Sequence, residues 1–580
     1  MELMIEIINK KMKTRLIYLL GVFTLLAFFS CKKYLTVEPE GFIPAEENFK
    51  SADDAISSIH GLYALMQPLV DQIFLAGEAQ ADMVVEARGA DKYIAEIAQN
   101  RVSAQNPYTD YSNFYRLIVA CNNTLAGLDQ LVRVDPVNYS AERYNYNAAE
   151  VVYIRLWTYM QLVKIWGDVP YIDYTVNTVA DLKSIPAMKQ AEMLAKLEVE
   201  ALKYYPVMLT ATPSSSAVGG NIAGSEVRIF RAQMNNFAAQ CLLTEIYVHR
   251  GNYAKAKDIL STLVPFGNAS SGNGGVFGIT SYDYNNYEKL FISVPTGDAN
   301  DGRAFYIDFD GGKGQTNHLQ SWTNNNIKNG GTYALKPSSN AIRDWKAVPN
   351  MLLNYQNTSL GYFIDMTKSA SADTNPVLNS SGDPLTAGFG DYVRGEGISY
   401  QPAGTDTLIF KYLMKTRGKI KDLQQNDNNS NNDAMFIVYR DGPMYLLACE
   451  IFNHMGLSNM ALAMLNGGQN DNGYKGIRWR ARVVPLKLDP NGGDIVKQID
   501  MMILKERALE AGFEGLRWFD LVRMSKIYGP SLIADLVARK YPASQQGAIK
   551  TKLSDPNKWY FPYYQRNLET NPSLVQKPGY

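Results

Sequence analysis

The sequence predicts a mainly α-helical protein, and three observations carry that expectation. Apolar residues recur at helical spacing in windows towards both ends of the chain. Two of those windows are near copies of one helix-turn-helix unit, the signature of repeat architecture. Between the copies, from about residue 265 to 440, short apolar or alternating pieces such as LFISV and AFYIDF are separated by Gly-, Asn- and Ser-rich clusters. This predicts a helical frame carrying a loop-rich, irregular side with a few short strands.

The chain opens with an address. Lys13 and Arg15 precede an apolar run, Leu16 to Phe29, that is shorter than the roughly 20 residues a bilayer-crossing helix needs and suits the core of a signal peptide. Met12 can be the initiator, because the residues before it add nothing a signal needs. The run ends at Ser30 and Cys31, an ending that resembles the lipobox of bacterial lipoproteins, in which the cysteine is acylated and becomes the mature N-terminus. Phe28 stands where such a box usually has Leu, and a cleaved, unlipidated secretory signal is the alternative. A tether containing Pro39 and Pro44 follows, where helix is denied.

The first helix starts at a capping-box pattern, Ser51 with Asp54, and carries Ala55, Ile56, Ile59, Leu62, Tyr63 and Met66 on one stripe. Residues 78–110 lack periodicity and read as a loop-rich excursion. Phe114, Tyr115, Ile118, Cys121, Leu125 and Leu128 predict a second helix. A third spans Ala148 to Trp166 and stops at Gly167-Asp168-Val169-Pro170, with Trp157 and Trp166 in its core face. Lys189 to Tyr205 reads as a fourth, and the Ser/Gly/Ala-rich stretch 210–224 as a flexible connection. Phe230 to Leu263 reads as a helical pair broken at Gly251. Its EIYVHRG, with Ala256 five residues on, is matched by EIFNHMG and Ala461, the two glycines lying 205 positions apart (Gly251 to Gly456). The spacing is that of a tetratricopeptide-type hairpin, so the helical layers are interrupted rather than tandem. Met501 to Lys526 returns to helix before an extended, proline-punctuated tail.

Charge and cysteines narrow the class. Lys+Arg and Asp+Glu both number 57, so no electrostatic footprint for nucleic acid exists. With Cys31 assigned to the lipid, Cys121, Cys241 and Cys449 remain, each inside an apolar helical pattern, which argues against a disulfide framework.

Five segments in order, CKKYLTVEP, NFYRLIVACNNTL, AAEVVYIRLWTYMQLVKIWGDVPYI, KERALEAGFEGLRWFDLVR and NPSLVQKPGY, resemble the SusD/RagB family of Bacteroidetes outer-membrane lipoproteins over nearly the whole chain. Lys32 and Lys33 depart from the acidic residues that often follow the cysteine, and Lys577 from the usual Asn of the terminal motif. The resemblance implies four tetratricopeptide-like helix pairs, a ligand surface on the irregular side, and a SusC-like TonB-dependent barrel transporter whose extracellular mouth the protein covers. It implies a glycan ligand, with a peptide in some relatives, and a lipid anchor in the outer membrane that faces the exterior. The expected divisions are a signal peptide over 1–30, a helical part over 31–264, a loop-rich ligand-binding insertion over 265–440 and a C-terminal part over 441–580, with 31–580 one structural unit.

The remaining motifs point away from catalysis. Glu506, Glu510 and Glu514, at i, i+4 and i+8 with Arg507, Arg517, Asp520 and Arg523 nearby, can suggest a glycosidase carboxylate pair, but helix-surface ion pairing is the better reading. A surface glycoside hydrolase therefore ranks below a binding protein. His249 and His454 each follow a glutamate at i+4, yet no further ligands complete a metal site, so packing near the turn glycine is preferred. The run 422–433 has calcium-loop length with Asp427 where glycine belongs, and no cofactor is expected apart from a structural calcium ion held elsewhere by loop oxygens. A glycan site needs flat rings flanked by polar side chains, because a sugar presents an apolar C–H face and a belt of hydroxyls. Trp322 with Asn324, Asn325 and Asn326, and Trp345 with Arg343 and Asp344, offer both elements in the insertion, and Tyr333 and Tyr355 also sit there among polar residues; plain packing of the insertion against the helices is the alternative reading for each of them. The loop holding Tyr93, Asn106 and Tyr108 is a further candidate that the resemblance favours.

Overall fold

The frame is a series of helices that pack on one another in pairs, seen in a computed structural model. It describes residues 49–210, 231–261, 263, 286–291, 302–351, 353–354, 375–376, 379–381, 384–416, 419–420, 432–467 and 476–580. The leader, Cys31, Tyr355, the connection after residue 210 and all of 422–433 except its last two residues lie outside the described residues.

Helix α1 (Ala52–Met66) begins where Ser51 and Asp54 cap each other reciprocally, and it buries Ala55, Ile59, Leu62 and Met66 as one stripe. A turn containing Pro68 carries it into α2 (Val70–Phe74) and then into a π-helical turn, Leu75–Ala79. The π turn exists for a reason of packing. A Cβ on Gly77 would meet the Gly515 carbonyl oxygen at 1.9 Å, so only glycine lets the two backbones touch. The excursion that follows holds β1 (Val84–Glu86) and α3 (Lys92–Ala98).

Helices α4 (Ser112–Val134) and α5 (Ala141–Trp166) come next. The latter starts about two turns before its apolar pattern because the Ser140 hydroxyl caps Arg143 N–H, and it is buried on every side from Asn147 to Trp166. Trp157 and Trp166 are core residues. Helix α6 (Gln190–Thr210), α7 (Asn236–His249) and α8 (Tyr253–Leu260) complete the first part.

The insertion supplies β2 (Arg303–Ile307), α9 (Leu319–Thr323), β3 (Leu335–Pro337), α10 (Ser339–Lys346), β4 (Pro349–Met351), β5 (Thr386–Phe389), β6 (Tyr400–Ala403), β7 (Asp406–Ile409) and β8 (Phe436–Arg440). Strand β2 pairs antiparallel with β8, Ile307 opposite Phe436, so the last strand of the insertion lies beside Arg303–Ile307. Strand β1 pairs with β3, β4 with β5, and β6 with β7.

Helices α11 (Asp441–His454) and α12 (Ser458–Asn466) then resume the frame, followed by α13 (Ile495–Ala511) and α14 (Arg517–Tyr528). The pairs are α1 with α4, α5 with α6, α7 with α8, and α11 with α12. The two sequence-similar hairpins are spatial neighbours: α8 packs on α11, and the rings of Tyr253 and His454 stack at 4.4 Å. Both turn glycines have positive φ, 70° at Gly251 and 77° at Gly456, while Ala256 and Ala461 are buried. Cys121, Cys241 and Cys449 are buried free thiols. Lys577 closes the tail onto α5, its ammonium donating to the carbonyls of Trp166 and Phe561.

Two expectations change. The helix over 501–526 is two helices, broken where Phe513 and Gly515 take positive φ and where the Glu78 carboxylate accepts both of their N–H groups, at 2.9 and 3.0 Å. Burial pushes the Glu78 carboxyl up to about 7. The glutamates of α13 are also not on an exposed helix face. Glu506 and Glu510 are fully buried, Glu514 in the break after the helix nearly so, and their partners come from outside the helix. Arg394 reaches Glu506 at 2.7 Å and Glu510 at 3.3 Å, Arg440 reaches Glu510 and Glu514 at 2.7 Å, Arg478 reaches Glu506, and Lys411 reaches Glu514. Burial opposes ionisation at Glu506, but Arg478 and Arg394 outweigh it and hold the carboxyl below the usual range. Arg507 instead pairs with Asp520, and Arg517 with Asp82 from the start of the first excursion.

Candidate ligand-binding surface

Residues from three segments meet beside α2. Gln72 donates to the carbonyls of Tyr108 and Asp110 at 2.9 and 2.7 Å, which fixes the loop before α4 against α2. Asp71, one residue earlier, points the other way. Its Oδ1 accepts the His318 N–H at 3.0 Å and its Oδ2 lies 2.6 Å from His318 Nδ1. The imidazole thereby lies nearly parallel to Trp322, centroids 5.4 Å apart and planes 19° apart. Beneath, Trp322 rests on Phe74 and takes the Tyr108 ring edge-on at 6.2 Å. The result is a ledge with a wet upper face, since the His318 side chain is 64% exposed while Trp322 is 4% exposed.

Charged groups flank the ledge at both ends. Burial, and then the nearby charges of Asp91 and Asp71, push the Tyr108 hydroxyl pKa up. Asp91 caps α3, accepting the N–H groups of Tyr93 and Ile94 at 2.8 Å, and the Lys92 ammonium lies over the Tyr93 ring at 4.5 Å. At the other end Arg88 pairs with Asp406 at 2.7 Å and covers the Tyr333 ring at 4.8 Å, while Asn325 donates to the same carboxylate at 2.8 Å. The Asp71 carboxylate, hydrogen-bonded to His318, raises the imidazole pKa despite partial burial. The surface therefore offers a flat ring, carboxylate acceptors, and amide and guanidinium donors within one neighbourhood.

The sequence candidates separate into three groups. Tyr93, Asn106 and Trp322 belong to this neighbourhood, but Asn106 is wholly buried and spends its amide on the Tyr93 carbonyl and Glu96, so it positions the loop instead of meeting a ligand. Trp322 is the floor under His318 rather than an open platform. Tyr333 and Asn324 are likewise buried: the Tyr333 hydroxyl donates to the Thr407 carbonyl at 3.0 Å, and the Asn324 carbonyl oxygen accepts from Asn326 N–H, while its amide nitrogen has no hydrogen-bond partner.

Trp345 lies apart and is corrected more strongly. It is 1% exposed between Tyr400 and Phe513, with its indole N–H donated to the Leu509 carbonyl, and it serves as core. Arg343 and Asp344 remain on the surface of α10, Asp344 facing Arg539 at 3.3 Å. Near them stand two exposed rings that periodicity did not single out, Phe389 and Tyr392. Their GFGDY context, aromatic residues between glycines, was the available signal. His318 and Asp71 carried no local signal, because their contact spans 247 positions.

The described residues contain no cluster of three His, Cys, Asp or Glu side chains able to hold a metal ion. His454 pairs with Asp500 at 2.6 Å, and Glu245 with Lys164 at 2.9 Å. No helix among the described residues is long and apolar enough to cross a membrane.

Comparison with known proteins agrees with this architecture. Residues 396–580 match the model of the SusD family, SusD_RagB. A SusD-like protein of Formosa agariphila is 23% identical over 584 residues, which cover 98% of this chain and 100% of that one. The match to the SusD/RagB family model thus falls on the C-terminal third of the chain, and the likeness to SusD-like proteins runs along nearly all of it. A SusD superfamily protein of Bacteroides thetaiotaomicron superposes with a TM-score of 0.64 at 17% identity, covering 91% of this chain and 99% of that one. A laminarin-binding SusD-like protein superposes with a TM-score of 0.54, also at 17% identity, covering 92% of this chain and all of the other. Glycan binding thus occurs within this SusD-like fold.

Proposed function

We propose that this chain is a SusD/RagB protein that captures a glycan on the ledge built from His318, Trp322 and Tyr108 and delivers it to a TonB-dependent barrel transporter, held at the outer membrane by an acylated Cys31. The observation that carries the reading is the half-exposed ring of His318 stacked on a buried tryptophan, with carboxylates on one side and Asn325 and Arg88 on the other. A sugar ring lays its C–H face on such a platform while its hydroxyls reach the flanking polar groups. Binding needs no bond-breaking step, and the glutamates that suggested one are consumed by buried arginines. The laminarin-binding relative supports a glycan as the ligand class, and the family supports the anchor and the transporter.

Calorimetric titration of the detergent-solubilised protein against plant, fungal and bacterial oligosaccharides, laminarin fragments among them, tests the reading. Saturable binding that Tyr108→Ala weakens supports it; binding of peptides with no sugar bound overturns it. Recovery of a large β-barrel on gentle purification, and radiolabelled fatty acid that Cys31→Ala abolishes, test the partner and the anchor.

A further inference from the structure

A second cleft, on the helical frame and built from none of the ledge residues, has the make-up of an anion site. It encloses about 280 Å³ where the turn between α7 and α8 meets α14 and the start of α6. Lys164, Arg250, Arg523 and Lys526 line it together with His249 and Gln190, and no carboxylate does. The acids that balance these cations sit behind them: Glu245 pairs with Lys164 and Glu198 with Arg250, while Glu450 and Asp520 both take Nη2 of Arg523. What faces the cleft is the unspent half of each cation.

Two groups are left with capacity. Arg523 is 7% exposed and its Nη1 has no hydrogen-bond partner, although it borders both this cleft and an enclosed cavity of about 70 Å³ beside it. A buried guanidinium N–H without an acceptor is a costly arrangement that a bound acceptor relieves. The Lys526 ammonium bonds only the Gln190 side-chain oxygen, and among the described residues no carboxylate lies within ion-pair distance of it. The local field agrees with the geometry: burial and then the charges of Arg523, Lys526 and Lys164 hold the His249 imidazole well below its ordinary pKa, so it is neutral there.

We infer that this cleft binds a compact oxyanion, a sulfate or phosphate group, which takes the free Nη1 of Arg523 and the Lys526 ammonium as charge-assisted donors with Arg250 at its mouth. The group can arrive as a free ion or as an ester on a small sugar, and the experiment separates the two.

The full chain in mild detergent is titrated by calorimetry with sodium sulfate, sodium phosphate, a sulfated monosaccharide and a phosphorylated monosaccharide, with sodium chloride at equal ionic strength as reference. Saturable binding of one or more oxyanions with none of chloride is expected. Tighter binding of the ester identifies a sugar-borne group, and tighter binding of the salt identifies the free ion. Lys526→Ala and Arg250→Ala, both at exposed positions that leave the buried pairs of Arg523 in place, each weaken it by about tenfold. Absence of saturable binding by all four oxyanions, or an affinity unaltered in both variants, overturns the inference.

Discussion

The buried ionic interior and the exposed ledge are made from the same residue types put to opposite uses. In the interior, Glu506, Glu510 and Glu514 are surrounded by Arg394, Arg440, Arg478 and Lys411, so the network presents little to a visitor. On the ledge, Asp71 and Arg88 each have one partner, and the ring between them keeps a face in water. The first arrangement binds separate stretches of chain, around Arg394 and Lys411, Arg440, Arg478 and the glutamates, to one another; the second leaves valence for something else. Charge and aromaticity alone therefore do not mark a site. Incomplete satisfaction next to solvent does.

Breaking the interior should show the largest effect. Arg440→Met removes the cation shared by Glu510 and Glu514 and leaves buried carboxylates under-paired, which should cost about 3–5 kcal/mol in urea unfolding. Trp345→Ala should cost about as much, about 3–5 kcal/mol, through the cavity it leaves. Glycan affinity of the folded protein should not change in the tryptophan variant, which sharpens the contrast between core and ledge aromatics. His318→Ala should do the reverse: oligosaccharide affinity measured by calorimetry should fall by about tenfold, with stability altered by less than about 1 kcal/mol.

The smallest effect is one of pH. The imidazole of His318 has a raised pKa in the folded chain, so the stabilisation from its Asp71 contact is fully present below the unfolded value of about 6.5. It is lost as pH rises through the higher folded value. Asp71→Asn should bring the His318 titration, followed by NMR of the ring protons, back towards about 6.5 and flatten this part of the stability profile.

Much of the frame was legible from the sequence because its signals are local. A capping box, turn glycines at positive φ and small alanines five residues on report on neighbours within one or two turns. The break after Ala511 was half legible, since Gly512 and Gly515 stand in the sequence, but its cause is a carboxylate 435 positions away. The interior was misread as a helix face because i, i+4 spacing is the same whether the partners lie on the helix or arrive from elsewhere. The ledge was legible in part. Trp322 and Tyr108 could be selected as rings among polar residues, whereas His318 became meaningful only through Asp71. Trp345 failed as a candidate because loop-rich sequence around it gave no hint that α13 would cover it.

The pairing of β2 with β8 has a further consequence. It holds Arg303–Ile307 beside Phe436–Arg440, and between these strands the chain is tied to the frame again at His318, at β3 and at Trp345. Loops strung between such anchor points can change in length and composition while the scaffold on which they are mounted keeps its geometry.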